Sequence, residues 1–292
     1  MAHTETMKIA DAVMPPLLAL AALLAVTAAV FSPTGLNWRS DSPLVIETVR
    51  VPAGPIVYRE AGAFALEGHE IDAPVTEATM ERALEVMKYQ VSTAQYALCV
   101  AEGACAQADN PVGAGSDLPV TGVSYLDAVA YANWLSDATS QNWRLPTDLE
   151  WARFASLDLE PAAETGAPRG MADRWLDSYR QMAASGRAPD LAVKPKGHFG
   201  ENALGIADIG GNVWEWTQTC FKRVNLNAAG NVMSRLETCG VRVLEGQHRA
   251  YMSAFVRDAL SGGCAVGTPP DHLGFRLVRE TNWHDGLLRL FD

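Results

Sequence analysis

The stretch "GIADIGGNVWEWTQTC", Gly205 to Cys220, decides how this chain is read. Trp214 and Trp216 bracket a single carboxylate, Glu215, and Asn212 stands just ahead of them behind a Gly-Gly pair. Core packing accounts for the tryptophans. Burying one is worth at most roughly 4–6 kcal/mol, from ~150–250 Å² at ~25 cal/mol/Å². It does not account for the acid between them. Glu215 then caps a neighbouring amide, points to water, or has a task of its own.

Working outward, the 292 residues are 48% hydrophobic and 20% charged, an ordinary globular composition. A chain of this size can build a core without a disulfide or metal staple. Its 34 acidic against 23 basic residues give a net charge of −11, and no Lys/Arg run exceeds a dipeptide. Nucleic acid is excluded as a partner on that ground, because phosphate binding relies on concentrated positive charge.

The N-terminus reads differently. "AVMPPLLALAALLAVTAAVF", Ala12 to Phe31, holds twenty residues without a charge. As a helix rising about 1.5 Å per residue it matches the hydrocarbon thickness of a bilayer. An uncleaved membrane anchor fits that length better than a signal peptide, although "VTA" at Val26 to Ala28 also suits a cleavage site. Residues 1–11 are a short n-region, and 32–44 read as a linker rich in Ser, Pro, Gly and Asn. Either reading puts the rest of the chain on the far side of an inner membrane, in the periplasm, or exports it.

The five cysteines agree with an oxidising compartment. Cys99 and Cys105 flank Gly103 in "CVAEGAC", and that spacing favours a local disulfide. Cys220, Cys239 and Cys264 remain, and their odd number leaves at least one unpaired or intermolecular.

Along the body of the chain, 45–59 and 83–92 read as strands. Three helix starts share one device: Ser92 with Gln95, Ser124 with Asp127, and Thr147 with Glu150 each form a capping box. The second helix should turn Val129, Ala132, Asn133 and Leu135 or Trp134 inward, and the third Leu149, Trp151, Phe154 and Leu157. After Leu191 no long helix is evident and the alternation is too brief for a regular sheet, so this half should be loop-rich. No G-x-S-x-G and no phosphate-binding glycine loop occurs.

The blocks "PVTGVSYLDAVAYANWLS", "NWRLPTDLEWARFA", "GHFGENALGIADIGGNVWEWT" and "HLGFRLVRE", in that order, resemble the signatures of the formylglycine-generating enzyme family of sulfatase-modifying factors. The resemblance runs from about Val45 to Glu280. It implies one mixed α/β, loop-rich domain of C-type-lectin-like fold over 45–282, behind the transmembrane helix and ahead of a tail at 283–292. It implies a structural calcium ion held by the Glu215 carboxylate and the carbonyls of Gly211 and Val213. It also implies a surface groove for an extended client peptide from another exported protein, with Arg249 and Tyr251 as contacts.

One family feature is missing. Its enzymes hold Cu(I) between two cysteines five residues apart, thiolate being the ligand that suits this soft ion. The matching positions here are Tyr251 and Val256, and no cysteine lies between Val241 and Gly263. Copper is therefore not expected. A relocated site would have to draw on Cys220, Cys239, Cys264 and His248. The "HRAYMSAF" segment and the "CVAEGAC" loop are similar to the NirV-type branch, associated with copper nitrite reductase systems. The resemblance therefore implies an accessory or maturation protein. The alternative is an oxidoreductase with relocated ligands.

Overall fold

Each capping box starts a helix. In the computed structural model, which describes residues 44–109, 116–155, 180, 192–259 and 272–280, Ser92 caps α1 (Thr93–Ala101) and Ser124 caps α2 (Tyr125–Thr139). Thr147 caps α3 (Asp148–Phe154). In all three the hydroxyl accepts the N3 amide and the N3 side chain accepts the cap amide. Asp127 is short for its part, and its second oxygen explains the choice: Oδ1 accepts from Arg257 at 2.7 Å while Oδ2 serves the cap. The cap thus also docks the 257 segment.

Residues 1–43, with the expected anchor at 12–31 and nearly all of the linker, lie outside the described residues, as do Cys264, Leu157 and the tail at 283–292. Among the described residues no helix is long and apolar enough to cross a membrane. The unit described below is Val45–Asp292.

Six strands precede α1: β1 (Thr48–Val51), β2 (Gly54–Arg59), β3 (Ala63–Leu66), β4 (His69–Ile71), β5 (Val75–Met80) and β6 (Leu84–Met87). β7 (Trp143–Arg144) lies between α2 and α3. β8 (Trp214–Leu226), β9 (Val232–Glu245), β10 (Ala250–Ser253), β11 (Leu273–Gly274) and β12 (Val278–Glu280) follow. They form an antiparallel sheet β1-β6-β12-β7, a mixed sheet β10-β9-β8-β3-β4 with β11 parallel to β8, and the pair β2-β5. Sheet strands β1 and β12, far apart in sequence, both pair with β6.

Two cores result. Trp151 and Phe154, one turn apart on α3, pack on Val51, Leu84, Val86 and Val278 of the first sheet. Tyr96 of α1 and Tyr131 of α2 stack at 5.8 Å between centroids, with Phe275 edge-on to Tyr131 at 5.5 Å. That cluster rotates α2 from its expected face. Tyr131 is inside and Asn133 is exposed, because the aromatic ring offers far more apolar area than the amide.

The half after Leu191 departs from expectation. It holds the longest strands among the described residues, β8 with 13 residues and β9 with 14. Residues 232–240 of β9 are exposed throughout, so no alternation of apolar and polar residues marks the strand. The register also breaks: Cys220 faces Arg242 and Phe221 faces Thr238, so Cys239, Gly240 and Val241 bulge between them. At the hairpin tip the Asn227 side chain accepts the amides of Ala229 and Asn231 and closes the turn.

The approach to α2 depends on Gly122. Its φ is +69°, and a Cβ there would lie 1.9 Å from the Asp109 carbonyl oxygen. Backbone cannot yield as a flexible side chain does. Gly122→Ala is expected to destabilise the fold by well over about 1 kcal/mol, the scale of a glycine replaced where φ is positive. Thermal unfolding of the variant beside wild type measures it, and an unchanged Tm would disprove the account.

Candidate functional site

The acid between the tryptophans is answered by an arginine. Glu215 starts β8 with 1% exposure, and Arg276, between β11 and β12, has 0%. Arg276 Nε donates to Glu215 Oε2 and Nη2 to Oε1, both at 2.7 Å. Gln90 Nε2 donates to Oε1 at 2.7 Å and Trp151 Nε1 to Oε2 at 3.0 Å. Nη1 of Arg276 donates to the carbonyls of Met87 and Lys88, and Nη2 to that of Ala207. Every N–H of the guanidinium has an acceptor, and each carboxylate oxygen has two donors. The motif "LGFR" carries the arginine. A buried carboxylate requires a partner, so that motif was the signal to follow.

The expected calcium ligands do not fit a cation as arranged. The oxygens of Glu215 are filled by four donors, and a guanidinium already supplies the positive charge at 2.7 Å. Gln90 Nε2 lies between Glu215 Oε1 and the Asp208 carbonyl, donating to both, where a bridging cation would have to stand. Asp208 is itself committed: with φ +58° it accepts the amides of Gly197 and Phe199. Gly211 and Val213 lie in the turn before β8, Gly211 against the Phe199 ring and Val213 buried. The carboxylate expected to bind calcium is thus occupied by protein hydrogen bonds.

The segment matched to the copper pair is likewise closed. Tyr251, on β10, takes the Gly62 amide at 2.9 Å and donates to the Gly62 carbonyl at 3.1 Å. Burial raises its pKa, which keeps that hydroxyl a neutral donor. Gly62 cannot be bulkier, since a Cβ would meet Lys222 at 2.7 Å. Arg249, expected to face a client, turns inward instead: Nε donates to Glu245 at 2.6 Å and Nη1 to the Arg59 carbonyl at 2.7 Å. His248 stands edge-on to Trp214, and Val256 is half-buried.

Two disulfides are formed, Cys99–Cys105 as the spacing favoured and Cys220–Cys239 across the β8/β9 bulge. The second removes Cys220 and Cys239 as thiolate ligands for copper in the oxidised protein. Beside it opens a cleft of about 440 Å³, lined among others by Glu60, Tyr125, Asp148, Cys220, Lys222 and Arg242. Asp148 at the start of α3 accepts from the Ala61 amide and the Thr219 hydroxyl. The sequence reading singled out neither it nor Glu245.

Glu245 faces Glu215 directly across the β8/β9 ladder. It is 3% exposed. Burial, against the pull of Arg249 and with Asp148 and Glu215 nearby, pushes its carboxyl up to about 7 from an ordinary 4.5. The folded state therefore binds this proton more tightly than the unfolded chain does, and the contribution is complete below the unfolded value. It is lost as pH rises through about 7. Melting temperature is expected to fall between pH 5 and 8, and Glu245→Gln should flatten that slope; a parallel slope in the variant would refute the assignment. For the central pair, Arg276→Met should cost about 3–5 kcal/mol because it strands a buried carboxylate. Glu215→Gln in the same chain should recover part of the loss, and neither calcium nor chelator should move the melting temperature of wild type.

Comparison with known proteins places this geometry. A model of the sulfatase-modifying factor enzyme 1-like domain matches residues 37–281. The formylglycine-generating enzyme of Mycobacterium tuberculosis is 38% identical over 132 residues, 41% of this chain and 40% of that protein. The formylglycine-generating enzyme of Thermomonospora curvata is 33% identical over 191 residues, 58% of this chain and 60% of that protein. The chain thus spans 40% and 60% of the length of these two relatives. In fold it is similar to PvdO from Pseudomonas aeruginosa, with a TM-score of 0.51 at 21% identity, over 81% of this chain and 95% of that one. With a family model covering most of its length, this chain belongs to the family of sulfatase-modifying factor enzyme 1-like domains.

Proposed function

We propose that this chain is an accessory or maturation member of the family, one that binds an exported client protein without carrying out the copper-dependent oxidation of its cysteine. The observation that carries the reading is the state of the copper positions. Tyr251 and Val256 stand there, and the Tyr251 hydroxyl is spent on both main-chain groups of Gly62. Phenol and isopropyl groups cannot stand in for two thiolates on Cu(I). The disulfide Cys220–Cys239 closes the main route by which the ligands might have moved.

A client segment would meet the exposed part of the same stretch. Phe255 is 71% exposed just beyond β10, while Arg249 and Tyr251 are tied inward. The disulfides and the uncharged 12–31 segment support a place outside the cytoplasm, tethered to the inner membrane, in the manner of the NirV-type branch.

The test loads the protein with Cu(I) under ascorbate, which leaves disulfides intact, and follows oxygen uptake with a cysteine-containing peptide. Wild type is expected to retain no stoichiometric copper and to consume no oxygen with the peptide. The double variant Tyr251→Cys/Val256→Cys, which restores the family's pair, should gain about one equivalent of Cu(I). One equivalent bound by wild type, with thiol-dependent oxygen uptake, would revive the oxidase reading. For the client, a photocrosslinker in place of Phe255 should give a dominant adduct that the same group at Asn227, on the hairpin tip, does not give.

A further inference from the structure

We propose that Cys220–Cys239 is a thiol–disulfide exchange site, attacked at Cys239 and releasing Cys220 into the cleft beside Arg242. This assigns an activity to a cleft that the client-binding reading does not use, and it stands or falls separately.

The two disulfides of the molecule differ in exposure, which governs access for exchange. Cys99 and Cys105 are 0% and 7% exposed. Cys239 is exposed and Cys220 half-buried, at the wall of the cleft. An external thiolate can reach the second bond and not the first.

The charges around the exposed bond are divided. Arg242 Nη1 donates to Cys220 Sγ at 3.1 Å and also holds the Gln218 carbonyl. Its guanidinium lies over the Tyr125 ring at 4.2 Å, and its buried Nε has no hydrogen-bond partner. The Glu237 carboxylate lies 3.9 Å from Cys239 Sγ and within 4.8 Å of Cys220 Sγ. The guanidinium hydrogen-bonded to Cys220 Sγ, with the carboxylate somewhat nearer Cys239, makes Cys220 the better thiolate and so the better leaving group. Exposure and charge therefore agree on the direction of attack.

The step balances as follows. An incoming thiol loses its proton to solvent, and its thiolate forms a bond to Cys239 Sγ. The Cys220–Cys239 bond breaks, and its electron pair leaves on Cys220 as a thiolate paired with Arg242. A second thiol, on the same substrate or another molecule, then attacks the substrate sulfur of the mixed disulfide. Cys239 is released, two substrate thiols have become one disulfide, and the protein holds the two electrons as two thiols. The substrate class is a thiol, either a small one or a cysteine pair of a protein chain. The bulge at 239–241 lets the bond open without unpairing β8 from β9, whose ladder continues on both sides of it.

The experiment treats the intact oxidised chain with glutathione, or with a two-cysteine peptide, and traps free thiols with N-ethylmaleimide at intervals for mass mapping. Cys220 and Cys239 are expected to be labelled at least roughly tenfold sooner than Cys99 and Cys105, with the first mixed disulfide on Cys239. Arg242→Gln should slow the reaction roughly threefold to tenfold and move the alkylation of reduced Cys220 to higher pH, while Arg242→Lys should keep most of the rate. If the Gln variant does not fold, the mapping on wild type decides alone. Equal rates at the two disulfides, a mixed disulfide on Cys220, or an unchanged rate in a folded Arg242→Gln would each overturn the proposal. Faster reaction with the peptide assigns the cleft to protein thiols, and faster reaction with glutathione to small ones.

Discussion

A carboxylate and a guanidinium, each at or below 1% exposure, meet where two sheets come together, and the rest of the domain is arranged around that meeting. Arg276 lies on the short stretch between β11, which pairs with β8, and β12, which pairs with β6. Its reach to Glu215 on one side and to the carbonyls of Met87 and Lys88 on the other ties the mixed sheet to the antiparallel one. Removing two charges from water costs several kcal/mol per ion, and only a fully satisfied network offsets it. Here the bidentate contact, the indole of Trp151 and the amide of Gln90 satisfy both ions, although Gln90 Oε1 is itself buried without a partner. Such a network adds little net stability over apolar packing. It penalises every arrangement in which one member is missing, and that fixes a single register between the sheets.

Side chains make similar joints elsewhere in the domain. Gln90 bridges Glu215 and Asp208, and Tyr251 clasps both main-chain groups of Gly62. A phenol that both accepts and donates ties together segments 189 positions apart.

How much of this could be read from residues alone follows from the range of the interactions. The capping boxes are local, three positions wide, and all three were legible. So was Cys99–Cys105, six positions apart with a turn between. Glu215 was legible as an anomaly but not as a pair, because Arg276 is 61 positions away and nothing in the spacing joins them. The β8/β9 hairpin escaped because exposure of residues 232–240 erases the alternation on which strand recognition rests. Cys220 and Cys239 were named only among three candidates, since the bulge that brings them together is a matter of register. Arg249 and Tyr251 were read as client contacts; both are half-buried, and their hydrogen bonds to Arg59 and Gly62 span 190 and 189 positions, which no local spacing reveals.

The ladder itself sets a problem that the molecule solves unevenly. Glu215 and Glu245 are direct cross-strand partners, and like charges so placed repel each other. Each has its own arginine, Arg276 and Arg249. Glu215 receives four hydrogen bonds, two of them from one planar guanidinium, and that geometry suits a full negative charge. Glu245 receives one at 2.6 Å from an arginine that also serves the Arg59 carbonyl. With Asp148 adding a third acid nearby, the weaker-held member is the one whose carboxyl rises to about 7. A proton held by Glu245 relieves the repulsion between two buried acids that stand opposite each other, and the titrating group lies on β9, the strand that carries Cys239.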